Sequence, residues 1–157
     1  MPSDLESNLA LKKLREFAPE AVEGPTEFRT EVTIHIRPDR LISVCEFLRD
    51  EPRLAFKYLS DVTAVDHYPN EPRFEVVYHL LSIQNAERLR LKVRAGGENP
   101  RVDSLTPVYP CANAFEREVF DLFGIQFTGH PYLRRILMPE DWEGYPLRKD
   151  YPTEGYR

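Results

Sequence analysis

The chain is poor in the residues that build redox and metal centres. Its 157 residues include two cysteines, Cys45 and Cys111, and no Cys-x-x-Cys pair, so neither a four-thiolate iron–sulfur cluster nor an all-cysteine zinc site can be assembled from it. The four histidines, His35, His67, His79 and His130, lack His-x-x-x-His spacing, and the seven glycines form neither a Gly-x-Gly-x-x-Gly turn nor a phosphate loop. No apolar run approaches the roughly 20 residues of a membrane-spanning helix. Positive charge is short as well: 21 Lys and Arg against 26 Asp and Glu leave a formal charge of -5, which argues against wrapping nucleic acid. Met1-Pro2-Ser3 carries no secretory pattern, so the expected compartment is a reducing cytoplasm with both thiols structural.

What is present reads as one globular domain, with 41% apolar and 30% charged residues. Ser3-Asp4-Leu5-Glu6 has the form of a capping box, opening a helix through Leu9 and Leu14 that ends near Pro19. Gly24-Pro25 marks a turn. Thr30, Val32, Ile34 and Ile36 then alternate with polar residues as a half-buried strand, and Leu41, Val44, Cys45 and Leu48 follow at helical spacing. The composition favours strands over residues 54–65 and 74–82. In 88–95, Leu89, Leu91, Val93 and Ala95 alternate with Arg88, Arg90, Lys92 and Arg94, and this run pairs with the preceding one as a hairpin. The predicted class is α+β: helix, two strands, helix, three strands, helix, around one mixed or antiparallel sheet, with an irregular C-terminal arm. Residues 1–124 form the domain and 125–157 the arm, within a single unit.

The last helix is written from Asn113, with Glu116 closing a capping box, to Gly124, which ends it in the left-handed conformation. Phe115, Val119 and Leu122, widened by Phe120 and Phe123, predict burial on most sides. Arg117 and Asp121 stand four apart and are expected to pair. Beyond Gly124 no regular period survives, and Pro131, Pro139, Pro146 and Pro152 interrupt any element. Yet Tyr132, Leu133, Ile136, Leu137, Trp142, Tyr145 and Tyr151 are too apolar for disorder, so the arm is expected to be ordered against a partner protein.

No catalytic set assembles from these residues. Glu116 and Glu118 point apart on a helix, and His130 between Gly129 and Pro131 reads as a turn residue with a satisfied side chain. An alternative is a small free-standing enzyme that gathers Arg117, Asp121, His130 and Arg134 around an anionic substrate. The basic face of strand 88–95 lacks the exposed aromatics of a single-strand binder and is expected to be solvated or to meet acidic residues of a neighbour.

Glu116-Arg117-Glu118, Asp121-Leu122-Phe123, His130, Arg134 and Ile136-Leu137 resemble the diagnostic motif of the 30 kDa subunit family, the C subunits, of respiratory complex I, the NADH:quinone oxidoreductase. The continuation Met138 to Tyr151, with Arg135, Trp142, Tyr145, Arg148, Lys149 and Asp150, resembles the family too, as do Asp61 to Tyr68 and Arg73 to Tyr78. The resemblance implies a core component in the peripheral arm of a proton-translocating complex, at the cytoplasmic side of the inner membrane. Implied partners are the D-subunit family member beside the quinone site and neighbouring iron–sulfur subunits. NADH, FMN, iron–sulfur clusters and quinone are implied on other subunits, with no cofactor, metal or catalytic residue on this chain. The motif residues Glu116, Arg117, Glu118, Asp121, His130, Arg134, Arg135, Trp142, Tyr145, Arg148, Lys149, Asp150 and Tyr151 are implied to form the interface with those neighbours. The matching subunits of a membrane-bound hydrogenase and of a ferredoxin-dependent photosynthetic complex are similar alternatives.

Overall fold

A computed structural model describes residues 5–156. The helix signals of the first segment act further along the chain than the capping-box reading has them: Asn8 caps α1 (Leu9–Phe17), its side chain accepting from the Leu11 amide at 2.9 Å. Ser3 and Asp4 lie outside the described residues. Strand β1 (Val22–Phe28) runs straight through Gly24-Pro25, which forms a bulge where the register to β2 (Glu31–Ile36) shifts. The reversal between them is made instead at Arg29 and Thr30, both at positive φ, so Thr30 belongs to the turn and not to the strand.

After α2 (Leu41–Asp50) come β3 (Tyr58–Asp66), β4 (Phe74–Ser82) and β5 (Glu87–Ala95). Residues 54–57, expected in the third strand, are irregular, although Leu54, Ala55 and Phe56 are buried. The apolar composition that reads as strand here reflects burial of a loop. The sheet order is β1-β2-β5-β4-β3, antiparallel except for the β2–β5 pair, which is the mixed α+β sheet anticipated. Two short strands unseen in the sequence, β6 (Arg101–Asp103) and β7 (Gln126–Thr128), pair in parallel on either side of α3 (Ala112–Phe123).

One face of the sheet carries the core. Ile34, Val76, Tyr78, Leu91 and Val93 pack with Leu11 and Leu14 of α1, and with Leu41, Cys45 and Leu48 of α2. Each such aliphatic side chain contributes on the order of 2 kcal/mol by leaving water. Burial also pushes the Cys45 thiol far above its ordinary range, leaving it a small apolar core residue. On the opposite face the basic stripe of β5 is partly neutralised within the chain. Lys92 reaches Glu75 at 2.8 Å, and Arg90 pairs with Glu31.

Candidate functional site

Glu116, Arg117, Asp121, His130, Arg135 and Arg148 converge where α3 meets the arm, through contacts that no local pattern in the sequence records. Helix α3 begins at Ala112, after Cys111, with no side-chain cap; Asn113 is inside it and Glu116 does not turn back to its own amide. The capping-box reading fails because Glu116 is wholly buried and has better donors elsewhere. Its two oxygens accept from the Ser104 hydroxyl and the Leu105 amide, each at 2.6 Å. Burial pushes its carboxyl up to about 7, even though both bonds favour the charged form.

His130 seals that pocket. Its Nδ1 accepts from the Tyr132 amide at 2.9 Å, so the proton sits on Nε2, which donates to the Asn113 carbonyl at 3.0 Å and lies 4.0 Å from Glu116. Both ring nitrogens are thus fixed by backbone groups, the satisfied turn histidine the sequence suggested. Neither is left for proton transfer in this geometry.

Asp121 is the pivot of the junction. Its Oδ2 accepts from three consecutive amides of the arm, Ile136 at 3.1 Å, Leu137 at 2.8 Å and Met138 at 2.9 Å, and its Oδ1 from Arg135 Nη1 at 2.7 Å. Consecutive amides turned toward one point make an anion-holding concavity, here filled by the chain's own carboxylate. Burial alone raises its pKa, but the Met138 amide, the Arg135 guanidinium and the Leu137 and Ile136 amides outweigh that and hold it below the usual value. The expected Arg117–Asp121 pair does not form. Arg117 instead donates to the carbonyls of Arg134 and Arg135, at 3.1 and 3.2 Å, with its guanidinium over the Tyr132 ring. A positional rule for helix neighbours lost to partners that tertiary structure brings in from the arm.

Arg135 binds four carbonyl or carboxylate oxygens, those of Asp121, Trp142 and Gly144 included, and stacks over Tyr145. Arg148 lies between the rings of Phe74 and Tyr145 and donates to the Phe123 carbonyl at 2.6 Å, closing the end of α3. Gly124, at φ 76°, makes this closure possible: a Cβ there would stand 2.5 Å from Tyr145 and 2.6 Å from Arg148. The Leu147 amide donates to the Leu122 carbonyl at 3.0 Å.

Further along, the arm is tied to the sheet. The Lys149 amide and the Tyr68 amide both donate to Asp66, while Arg73 bridges Asp66 at 2.8 Å and Asp150 at 2.5 Å. Burial opposes ionisation of Asp66, yet the Arg73 guanidinium and the two amides bring its pKa to about 2. Nothing local in the sequence marks Asp66, Arg73 or Ser104 as site residues, since none of it couples Arg73 to Asp150, 77 positions away, or Ser104 to Glu116, 12 away.

Among the sequence-predicted residues, Arg134 and Glu118 face outward, Arg134 near Glu140 at 3.8 Å and Glu118 with no ion pair among the described residues. Tyr151 packs edge to face on Tyr156. Arg117, Asp121, His130 and Arg134 therefore do not converge on a substrate. Asp121 is inaccessible, and Arg117 and His130 are bonded to the backbone. The arm's first covering surface is its own domain, which corrects the expectation that its backbone depends on a partner. Part of its apolar surface points away nonetheless: Leu137 is 61% exposed, Leu147 53% and Tyr132 51%.

Residues 34–157 match the family described as respiratory-chain NADH dehydrogenase, 30 Kd subunit. The C subunit of NADH-quinone oxidoreductase from Roseiflexus sp. (strain RS-1) is 53% identical over 148 residues, 94% of this chain and 85% of that protein. Its counterpart from Geobacter sulfurreducens is 46% identical over 151 residues, covering 96% and 92%. Among solved structures, the trypsin-resistant fragment (1-134) of Nqo5 is 30% identical with a TM-score of 0.64, covering 80% of this chain and 100% of the fragment. A chain of the membrane-bound sulfane sulfur reductase, an archaeal respiratory membrane complex, is 29% identical with a TM-score of 0.75, covering 91% and 84%. Among the described residues no helix is long and apolar enough to cross a membrane. With the family match running from within β2 through β5, α3 and the arm, the chain belongs to the 30 kDa subunit family of respiratory-chain NADH dehydrogenase, the family of the C subunits of NADH-quinone oxidoreductase, complex I.

Proposed function

We propose that this chain is an architectural subunit of a proton-translocating NADH:quinone oxidoreductase, holding its neighbours in register and bearing no redox centre. The observation behind this reading is the arm. Its Ile136, Leu137, Met138 and Leu147 amides are bonded to α3 and its Lys149 amide to Asp66 of the sheet, while Ile136, Leu137 and Leu147 project their apolar side chains outward. A rigid scaffold with exposed apolar anchors is pre-organised for association, because the ordering cost has been met before the partner arrives. Flavin and iron–sulfur chemistry then belongs to neighbours, since two separate cysteines cannot ligate a four-thiolate cluster. The chain sits peripherally on the cytoplasmic side of the membrane, against the D-subunit family member that shapes the quinone site and near iron–sulfur subunits.

The test is a pull-down of the tagged chain from mildly solubilised membranes, with mass spectrometry and absorption spectra. The retained complex should contain the D-subunit family member and show flavin and iron–sulfur bands, whereas the chain purified alone should be colourless. Iron or flavin held stoichiometrically by the isolated chain would contradict the proposal. A second reading, the matching component of a related membrane-bound reductase, is favoured by the TM-score of 0.75 to the sulfane sulfur reductase chain. Co-purification without NADH-oxidising flavin subunits would select it.

A further inference from the structure

Between β6 and α3 the fold sets three side-chain oxygens in a row, leading outward from a core carboxyl. Glu116 Oε2 stands 2.6 Å from Ser104 Oγ, and Ser104 Oγ stands 2.9 Å from Thr106 Oγ1. Glu116 is 0% exposed and Ser104 2%, whereas Thr106 is partly exposed, so the row runs from the interior toward the surface. Backbone bonds hold it in place. The Ser104 amide donates to the Thr128 carbonyl of β7 at 2.9 Å, the Leu105 amide to Glu116 Oε1 at 2.6 Å, and the Thr106 amide to Ser104 Oγ at 3.2 Å.

A hydroxyl has one hydrogen and two lone pairs. Ser104 Oγ takes the Thr106 amide on one lone pair, which leaves its hydrogen and its second lone pair for Glu116 and Thr106, in either order. With Glu116 ionised, Thr106 donates to Ser104 and Ser104 to the carboxylate. With Glu116 protonated, the carboxyl donates to Ser104 and Ser104 to Thr106. The same contacts serve both states, and both oxygen–oxygen distances are within reach of proton transfer. The other neighbours of the carboxyl offer no such path: Oε1 meets a backbone amide, and both nitrogens of His130 are bonded to the backbone. Tyr78 of β4 faces the same interior as a wholly buried phenol, pushed well above its ordinary value by burial and then by Glu116, Cys45 of α2 and Asp103 of β6. Among the described residues no lysine or arginine pairs with Glu116, so a proton is what neutralises it.

We propose that Ser104 and Thr106 form a relay through which solvent protons load and unload the buried Glu116 carboxyl. In loading, hydronium gives its proton to Thr106 Oγ1, the hydrogen of Thr106 passes to Ser104 Oγ, and that of Ser104 passes to Glu116 Oε2. Three O–H bonds form and three break, one of them in hydronium. Water leaves, the carboxylate charge is cancelled, and each hydroxyl again carries one hydrogen. Burial places this exchange near neutral pH, since it pushes the Glu116 carboxyl up to about 7. The chain is then a site of proton uptake, a role that does not depend on the architectural reading above.

The test follows the carboxyl carbon of Glu116 by nuclear magnetic resonance in the full chain labelled with 13C-glutamate, its signal identified by loss in Glu116→Gln. It is titrated from about pH 5 to about pH 9, which spans the ordinary and the raised range of a carboxyl, and the exchange rate at the midpoint is read by relaxation dispersion. Thr106→Val should slow exchange at least tenfold while the midpoint stays within about 0.3 pH unit, because Thr106 makes no bond to the carboxyl. Thr106→Ser, which keeps the hydroxyl, should exchange within about twofold of wild type. Ser104→Ala should both slow exchange and titrate about one pH unit higher, having lost a bond that favours the charged form. Wild-type exchange in Thr106→Val would mean that protons arrive by opening of the fold and would overturn the relay. So would a Thr106→Ser variant as slow as Thr106→Val, a Thr106→Val midpoint displaced as far as that of Ser104→Ala, or a Glu116 signal that does not titrate in this range.

Discussion

Two buried carboxylates five residues apart on one helix are handled in opposite ways, and the difference lies in their donors. Asp121 has a guanidinium and three amides, enough to keep it ionised without water; Glu116 has one hydroxyl and one amide, and burial wins. Asp121→Asn removes the charge while leaving Arg135 in place, and breaking a buried pair from one side costs roughly 3–5 kcal/mol. The expected loss, read by urea unfolding, is on the order of 3 kcal/mol, since the asparagine oxygen keeps part of the amide contacts. Glu116 makes stability depend on pH. Its folded pKa of about 7 stands above the ordinary 4.5, so the folded chain binds more protons between those values. Its contribution is whole below pH 4.5, falls as pH rises toward about 7 and is flat beyond, a span of at most about 3 kcal/mol. Glu116→Gln, which imitates the protonated form, should flatten that slope and stabilise the protein at about pH 8 relative to wild type. Asp66 acts in the other direction, contributing above pH 3.8 and losing that contribution as pH falls through about 2. At this scale the sequence marks Glu116 and Asp121 but neither Asp66 nor which partner each carboxylate takes, because Ser104, Arg135 and Arg73 are brought to them only by tertiary structure.

At the scale of the element, the arm is the part whose irregularity was legible and whose support was not. Prolines and the loss of any period announce a segment without helix or strand, and its aromatic content announces order. What covers it depends on three amides aimed at one buried oxygen, a geometry that leaves no sequence pattern. The difference has a measurable consequence. In the isolated chain the amides of Ile136, Leu137 and Met138 should exchange slowly, with protection falling at least tenfold in Asp121→Ala, because each lost bond exposes its amide to water. Exchange at the rate of an unstructured peptide in wild type would show that the junction forms only in the complex. The strands tell a similar story. Alternation in 88–95 matched β5 face for face, whereas β6 and β7, three residues each, are too short for a period to show and exist because α3 returns the chain beside its own start.

At the scale of the molecule, the sheet buries one face under α1 and α2, and α3 carries the arm out from its β3 edge, where the exposed apolar side chains gather chemical meaning only in an assembly. Composition foretold the class, and the mixed order β1-β2-β5-β4-β3 followed from one parallel pairing that no local pattern records. The central claim is that the arm is ordered by its own chain and used by another. It is tested by Leu137→Asp combined with Leu147→Asp, at positions 61% and 53% exposed, with Lys12→Ala as the exposed control. The measurement is recovery of the assembled complex on native gels, with NADH:quinone reductase activity, against the thermal midpoint of each isolated chain. The double variant should melt within about 2 °C of wild type, as surface changes do, yet recover at most a tenth of the complex and its activity, while Lys12→Ala matches wild type in both. Full assembly and turnover by a double variant that carries two charges on the arm would contradict the account.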